Sequence, residues 1–326
     1  MNSYQKIIKT FYTERQVMSE RNGLSISPLK PKILLNRLME LKLMENFSLE
    51  DGFLPFNDED FFIAHNEEYV EKFFLGDPNY TKLNGFRWSR EFAETIRYTN
   101  SSLYNAQRYS ILNPNCITFS PSSGFHQATP YGGMYYCTFS GQVISAIKLY
   151  NEMGIKTAWI DMDGHLGNSI EESRDFVKDL NSAIPKGLNI NPGMYGDKSY
   201  LEDLKEKLHI LEEEILKENV NSICFAQGAD SHEWDDLAPS DTRLSTVDWI
   251  YAHRMVFEKI LEISRKRDKP VPLMISLFGG HRENDPNSII HLHIMTLLSA
   301  LEILSGIKSK YKLEEEIKEK KIYLKK

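Results

Sequence analysis

Three cysteines in 326 residues, with no CxxC pair, are too few and too odd in number to build a disulfide framework. Cys116, Cys137 and Cys224 each sit among apolar or aromatic neighbours and are expected as buried, reduced thiols of a cytoplasmic protein. A basic surplus is also missing: 39 Lys+Arg against 46 Asp+Glu leave a formal charge of −7. Nucleic-acid binders rest on neutralising phosphates with cations, so this balance argues against one and better suits a small cationic ligand. The longest apolar stretch near the end, residues 292–304, contains His293 and Glu302 and is too short to cross a bilayer, so a core helix is expected there. The first sixteen residues show neither an uninterrupted apolar region nor a small-residue cleavage site, so no signal peptide is expected. Internal repeats and low-complexity linkers are absent as well.

What is present is ordinary globular material, 41% hydrophobic and 26% charged. That is enough to bury a core without a disulfide or a structural metal. Short apolar runs rich in β-branched and aromatic residues occur at 116–119, 157–160, 222–226 and 273–277. Between them, helical periodicity runs through 139–153, 170–180, 201–218, 249–265 and 289–304. Continuous apolar strands alternating with helices predict an α/β fold, a mostly parallel sheet covered on both faces. Helices are expected at 28–43, 65–74 and 86–107, after an edge strand at 7–12. We expect one domain over 1–307 and a charged, solvated helix over 308–326.

Ligands of open α/β sheets collect at the carboxyl ends of strands. Here the strands run into FSPSSGFHQ, IDMDGHLGN, FAQGADSHEWDD and FGGHREND, four polar ends converging on one edge. In extended backbone, residues two apart share a side, so Asp163 and His165 can converge on one ion. Asp230, at the end of another strand, supplies a third ligand. Two carboxylates and an imidazole suit zinc with one open position, and iron(II) also fits. Asp161 is then a supporting residue or a ligand of a monovalent cation. For the DxDxH segment alone, an acidic turn capping a helix is the simpler reading; the GAD segment after a second strand reverses that preference.

IDMDGHLGNS resembles the D-x-D-x-H-x-G-N-G signature of the histone deacetylase family, and QGADSHEWDDL resembles its G-x-D-x-H-x-x-D-P-L segment, with Asp236 in place of proline. SPSSGFHQA lies where that family has tandem histidines, YGGMYYCTFSGQVISAIKL where it has G-F-C-x-F-N and a helix, and SLFGGHREN at its G-G-G-Y loop. SISPLKPKILLNRLMEL and AHNEEYVEKFF resemble its early helices, so the likeness spans most of residues 6–305 in order. It implies a zinc-dependent, divergent bacterial-type member with the arginase–deacetylase fold. Carried over by position, Asp163, His165 and Asp230 hold the metal. Asp161 with the backbone at Asp163 and His165 forms a potassium site, completed by Asn189 or Ile190. His126 is the first tandem histidine, paired with Asp161. Tyr136, Phe125 and Gly280 line the acyl-lysine channel, while His232 and Asp235 orient the Asp230 loop. The segments at 77–84 and 191–197 are expected to frame the channel mouth.

In that family a metal-activated water attacks an amide carbonyl, the second tandem histidine moves the proton and a tyrosine donates to the oxyanion. This sequence has Gln127 at that histidine and His281 at that tyrosine. Glutamine cannot cycle a proton near neutral pH, which leaves His126 as candidate base and His281 as a partial oxyanion donor, as in class IIa members. Three expectations follow. One is a deacylase of acylated lysine, using activated or unusual acyl groups. Another is an impaired homologue that recognises acyl-lysine without turnover. A third is a hydrolase of small acylated amines such as acetylated polyamines.

Overall fold

A computed structural model of the chain describes residues 4–23, 25–194 and 198–308. In chain order the elements are β1 (Ile8–Phe11), α1 (Lys30–Glu40), β2 (Phe47–Glu50), α2 (Asp58–Phe62), α3 (Glu67–Leu75), α4 (Pro78–Thr81) and α5 (Arg90–Leu112). Then come β3 (Ile117–Ser120), α6 (Gly141–Met153), β4 (Thr157–Asp161), α7 (Ser169–Ser173), α8 (Leu180–Ala183) and β5 (Asn189–Ile190). The last are α9 (Tyr200–Leu216), β6 (Ser222–Ala226), α10 (Thr246–Lys266), β7 (Leu273–Ser276) and α11 (Pro286–Ser305).

The strands form one seven-stranded sheet in the order β2-β1-β3-β7-β6-β4-β5, and every pair is parallel. The chain is thus a single α/β domain. Its four central neighbours are the four strands with polar ends, which is why those ends meet at one carboxyl edge. Side chains alternate across the sheet: Ile223 and Phe225 of β6 join a core with residues of α1, α9, α10 and α11, whereas Cys224 and Ala226 join the other with α5 and α6. With both faces covered, β6 is buried throughout, hence its continuous apolar run. Truncating a ring such as Phe225, which is fully buried, would cost about 3–5 kcal/mol.

Differences from the sequence reading have local causes. The strand at 7–12 is not an edge: β1 lies between β2 and β3. The edge is β2, whose four residues include one buried side chain and so carry little pattern. The helix expected at 170–180 is two short pieces, interrupted before Asp179, which adopts φ +64. α11 begins earlier than read, at Pro286, and its 20 residues are long and apolar enough to cross a membrane, yet 89% of that window is buried inside the fold. The charged tail helix falls on residues outside the described ones, Lys308 excepted. All three cysteines are buried and unpaired.

Candidate metal centre

The centre is assembled where β4 and β6 end. Leaving β4, the Asp161 carboxylate accepts the Asp163 N–H at 3.2 Å through Oδ1 and faces His126 Nδ1 at 2.9 Å through Oδ2. Asp163 accepts from His165 N at 3.0 Å and from Gly279 N at 3.0 Å. Asp230 accepts from Gly164 N at 2.8 Å, and its other oxygen lies 2.8 Å from His165 Nδ1. Backbone N–H groups thus hold each of the three carboxylates in place.

Asp163, His165 and Asp230 offer three donor atoms that all lie within 4.8 Å of one another. His165 Nδ1 stands 3.4 Å from Asp163 Oδ1 and 2.8 Å from Asp230 Oδ2, near the edge of about 3.3 Å of a tetrahedron with metal–ligand bonds of about 2 Å. The surroundings leave no room for larger residues. A Cβ at Gly279 would come 2.4 Å from Asp163 Oδ2 and 2.6 Å from Asp230 Oδ2, and one at Gly228 would come 2.3 Å from the Asp163 Cα. Donor set, spacing and cradle all fit a divalent ion. His126, Asp161 and Asp163 form a second, overlapping cluster of potential ligands.

Charge coupling is strong here. Burial would lower the His126 pKa, but the Asp163 and Asp161 carboxylates outweigh it and lift it to about 9. Hydrogen bonds to Asp163 and Asp230 lift His165 to about 10. Like charges side by side split the two ligand carboxyls. Burial and Asp163 push Asp230 up, while Asp163 is held low by His126 and His165 against its own burial.

A cavity of ≈ 440 Å³ opens on this cluster, lined also by Gln127, Tyr136, Gly280 and His281. Gln127 Nε2 reaches the Leu166 carbonyl at only 3.5 Å. His281 is held by its backbone: its N–H donates to Asp235, and its carbonyl accepts from Asp236 N at 3.0 Å. Proline at position 236 could not give that bond, so Asp236 adds a tie, and its carboxylate also accepts from Glu283 N at 2.8 Å. Burial and Asp230 raise the Asp235 pKa to about 7. His232 is fully buried and accepts the Trp234 N–H at 3.0 Å. Tyr135, Tyr136 and Phe278, all lining the cavity, hold φ of +43, +65 and +56, a conformation uncommon for aromatic residues and concentrated at functional sites.

Phe125 corrects the channel assignment. It is 1% exposed and packs on Phe278 at 5.9 Å, because it turns into the core behind His126; Gly124 and Ser123 line the cavity instead. The segment 77–84 acts from behind the wall: the Asn84 carbonyl accepts the Tyr136 N–H at 2.8 Å. Asn191 Oδ1 accepts the Gly167 N–H at 2.8 Å and Asn189 Nδ2 donates to the Gly167 carbonyl at 2.9 Å, so both tie down the loop after β4.

Sequence reasoning missed Lys30. Fully buried, it donates to the Phe278 carbonyl at 2.6 Å and the Gly280 carbonyl at 3.4 Å. Burial lowers its pKa to about 8 against the pull of Asp230, Asp163 and Asp235. The available signal was its place in the stripe Lys30–Leu34–Leu38, where spacing of four puts all three on the buried face of α1.

No protein-family model matches this sequence, and no curated protein matches it. Among solved structures, one described as the crystal structure of the HDA15 HD domain superimposes with a TM-score of 0.67 at 12% identity, covering 95% of this chain and 93% of that one. Likeness at this identity speaks for the fold alone: the chain has the single-domain, all-parallel α/β architecture of that structure.

Proposed function

We propose that the protein is a metal-dependent hydrolase of acyl amides, acting on acylated lysine side chains or a related acylated amine. The observation that carries this reading is the junction of two clusters in one cavity: the Asp163–His165–Asp230 donor set, and His126 backed by Asp161 at 2.9 Å. Zinc suits the donors, with iron(II) second, and such an ion would polarise a carbonyl and lower the pKa of water.

The residues divide the remaining work. Asp161 holds the proton on His126 Nδ1, leaving Nε2, 3.6 Å from Asp163, to take up or release a proton toward the cavity. Gln127 donates or accepts one hydrogen bond without titrating. His281 stands on a loop fixed by Asp235 and Asp236 and faces the cavity as a donor to a developing oxyanion. Tyr136 and Gly280 flank the acyl chain. A potassium ion at Asp161, Asp163 and His165 belongs to the same proposal.

The test is turnover by zinc-loaded protein on acetyl-lysine and trifluoroacetyl-lysine peptides and on acetylated polyamines. Faster release of the trifluoroacetyl group supports the reading, because that carbonyl needs less electrophilic help. Binding without turnover of any substrate would favour a recognition module, the second reading. Gln127, non-titrating and weakly held, is the observation that keeps that reading in play.

A further inference from the structure

Beneath the metal-site loops, between the end of β6 and helices α10 and α11, lies a second polar layer. Gln227 and His293 are fully buried and His253 is 1% exposed. Gln227 follows β6, and by alternation with Ile223 and Phe225 its side chain faces these helices. The His253 ring lies 5.6 Å from Phe225 and 3.8 Å from Trp249. His293 stands under Gly280, where a Cβ would come 3.6 Å from its Nε2. Among the described residues, six atoms here make no hydrogen bond of good geometry: both amide atoms of Gln227, both ring nitrogens of His293, which lies beside the Gln227 and Gly279 carbonyls, His253 Nε2 and Trp249 Nε1.

The chemistry of these atoms says what satisfies them. His253 Nδ1 is 2.9 Å from the Trp249 carbonyl, which can only accept, so Nδ1 carries the hydrogen. Burial drives this imidazole's pKa down to about 3, leaving it neutral with an accepting lone pair on Nε2. Burial, with Lys30 and His253 nearby, likewise keeps His293 neutral, although the Gln227 and Gly279 carbonyls beside it pull the other way. Gln227 brings two donors and an acceptor, and the Trp249 indole one donor. A cation finds no carboxylate here and meets Lys30 close by; an anion meets accepting lone pairs. Water gives and takes two bonds each and fits the mixture. Six such atoms left dry would cost a sum comparable to a domain's whole stability.

We infer that Gln227, His253 and His293 enclose ordered water and serve as positioning residues for the metal centre. Gln227 stands three residues before Asp230 on one loop. His293 lies against Gly279 on the other, whose N–H donates to Asp163 at 3.0 Å and whose carbonyl accepts from Ala229 N at 3.1 Å. The layer therefore ties together the two loops that set two of the three ligands. This inference rests on the metal-centre reading given above.

Cobalt(II) loaded into the full chain is the probe, in wild type and in Gln227→Leu, His293→Leu and His293→Gln. In the leucine variants the cobalt visible spectrum shifts and cobalt affinity falls roughly tenfold. In the same variants kcat falls with KM near wild type, and His293→Gln restores most of both. Folded leucine variants with the wild-type spectrum and affinity overturn the inference while leaving the metal centre standing. Wild type that takes no cobalt overturns both. Should a leucine variant fail to fold, a high-resolution crystal structure of wild type decides: ordered water bridging Gln227 to the two histidines supports the inference, and a dry layer overturns it.

Discussion

On the wall of the cavity built by the ends of β4 and β6, every oxygen of Asp161, Asp163 and Asp230 meets a nitrogen at 2.8–3.2 Å. On the rest of its lining, Gln127 makes one side-chain hydrogen bond at 3.5 Å, to the Leu166 carbonyl, and His281 is held through its backbone. The first wall must bring three donor atoms to one point, and a ligand shell tolerates little error, so backbone N–H groups fix it from several sides. On the proposed reading the second wall faces a reacting carbonyl, where a departure lowers a rate but leaves the fold intact. On that reading, ion binding and proton transfer are separable, and the predictions probe that separation.

Removing a ligand from the firm wall has the largest effect. Asp230→Ala is expected to weaken divalent-metal binding by more than about 100-fold, read by titration calorimetry, since one of three protein ligands is gone. His126→Ala is expected to keep its metal but lose about 10²–10⁴ in turnover, read by steady-state kinetics beside metal analysis. If both metal and turnover vanish together, the two walls are not separable. Rebuilding the loose wall works the other way: Gln127→His with His281→Tyr is expected to raise acetyl-lysine turnover by about 10²-fold at unchanged metal content.

Lys30→Met tests what lies behind the firm wall. It leaves the Phe278 carbonyl without its 2.6 Å partner and the acid cluster without a buried cation, at about 2 kcal/mol of stability, read from the urea midpoint. The smallest effect is on pH dependence. In metal-free protein, His126 is lifted to about 9 and His165 to about 10 from an ordinary 6.5. Their stabilisation is fully present below pH 6.5 and lost as pH rises through 9–10. Urea midpoints of metal-free protein should fall over that window, and metal loading should remove the fall.

The firm wall was also the legible one. Asp230 after a buried strand follows from strand-end position; Asp163 and His165 lie past the end of β4, where a bend closed by the His165 N–H on the Asp163 carboxylate, and not the strand period expected from sequence, brings them together. The strands at 157–161 and 222–226 follow from unbroken apolar runs. What sequence left out depends on packing between distant segments. β2 pairs along its length but buries one residue, so its pattern is faint. Phe125 reads as a channel wall beside His126, yet a turn into the core removes it. Lys30 shares the buried stripe of Leu34 and Leu38, but its bonds to the Phe278 and Gly280 carbonyls come from the seating of α1 against the loop after β7. The left-handed backbone of Tyr135, Tyr136 and Phe278 has no sequence signal at all, since aromatic residues seldom adopt it.

The central claim is that Asp163, His165 and Asp230 together hold one divalent ion. Metal analysis of purified protein, followed by zinc titration of the chelated form beside Asp163→Ala, tests it directly. One tightly bound ion per chain in wild type and none in the variant is the predicted result. Wild type that carries no transition metal and takes none up, or a variant that binds as wild type does, would contradict it.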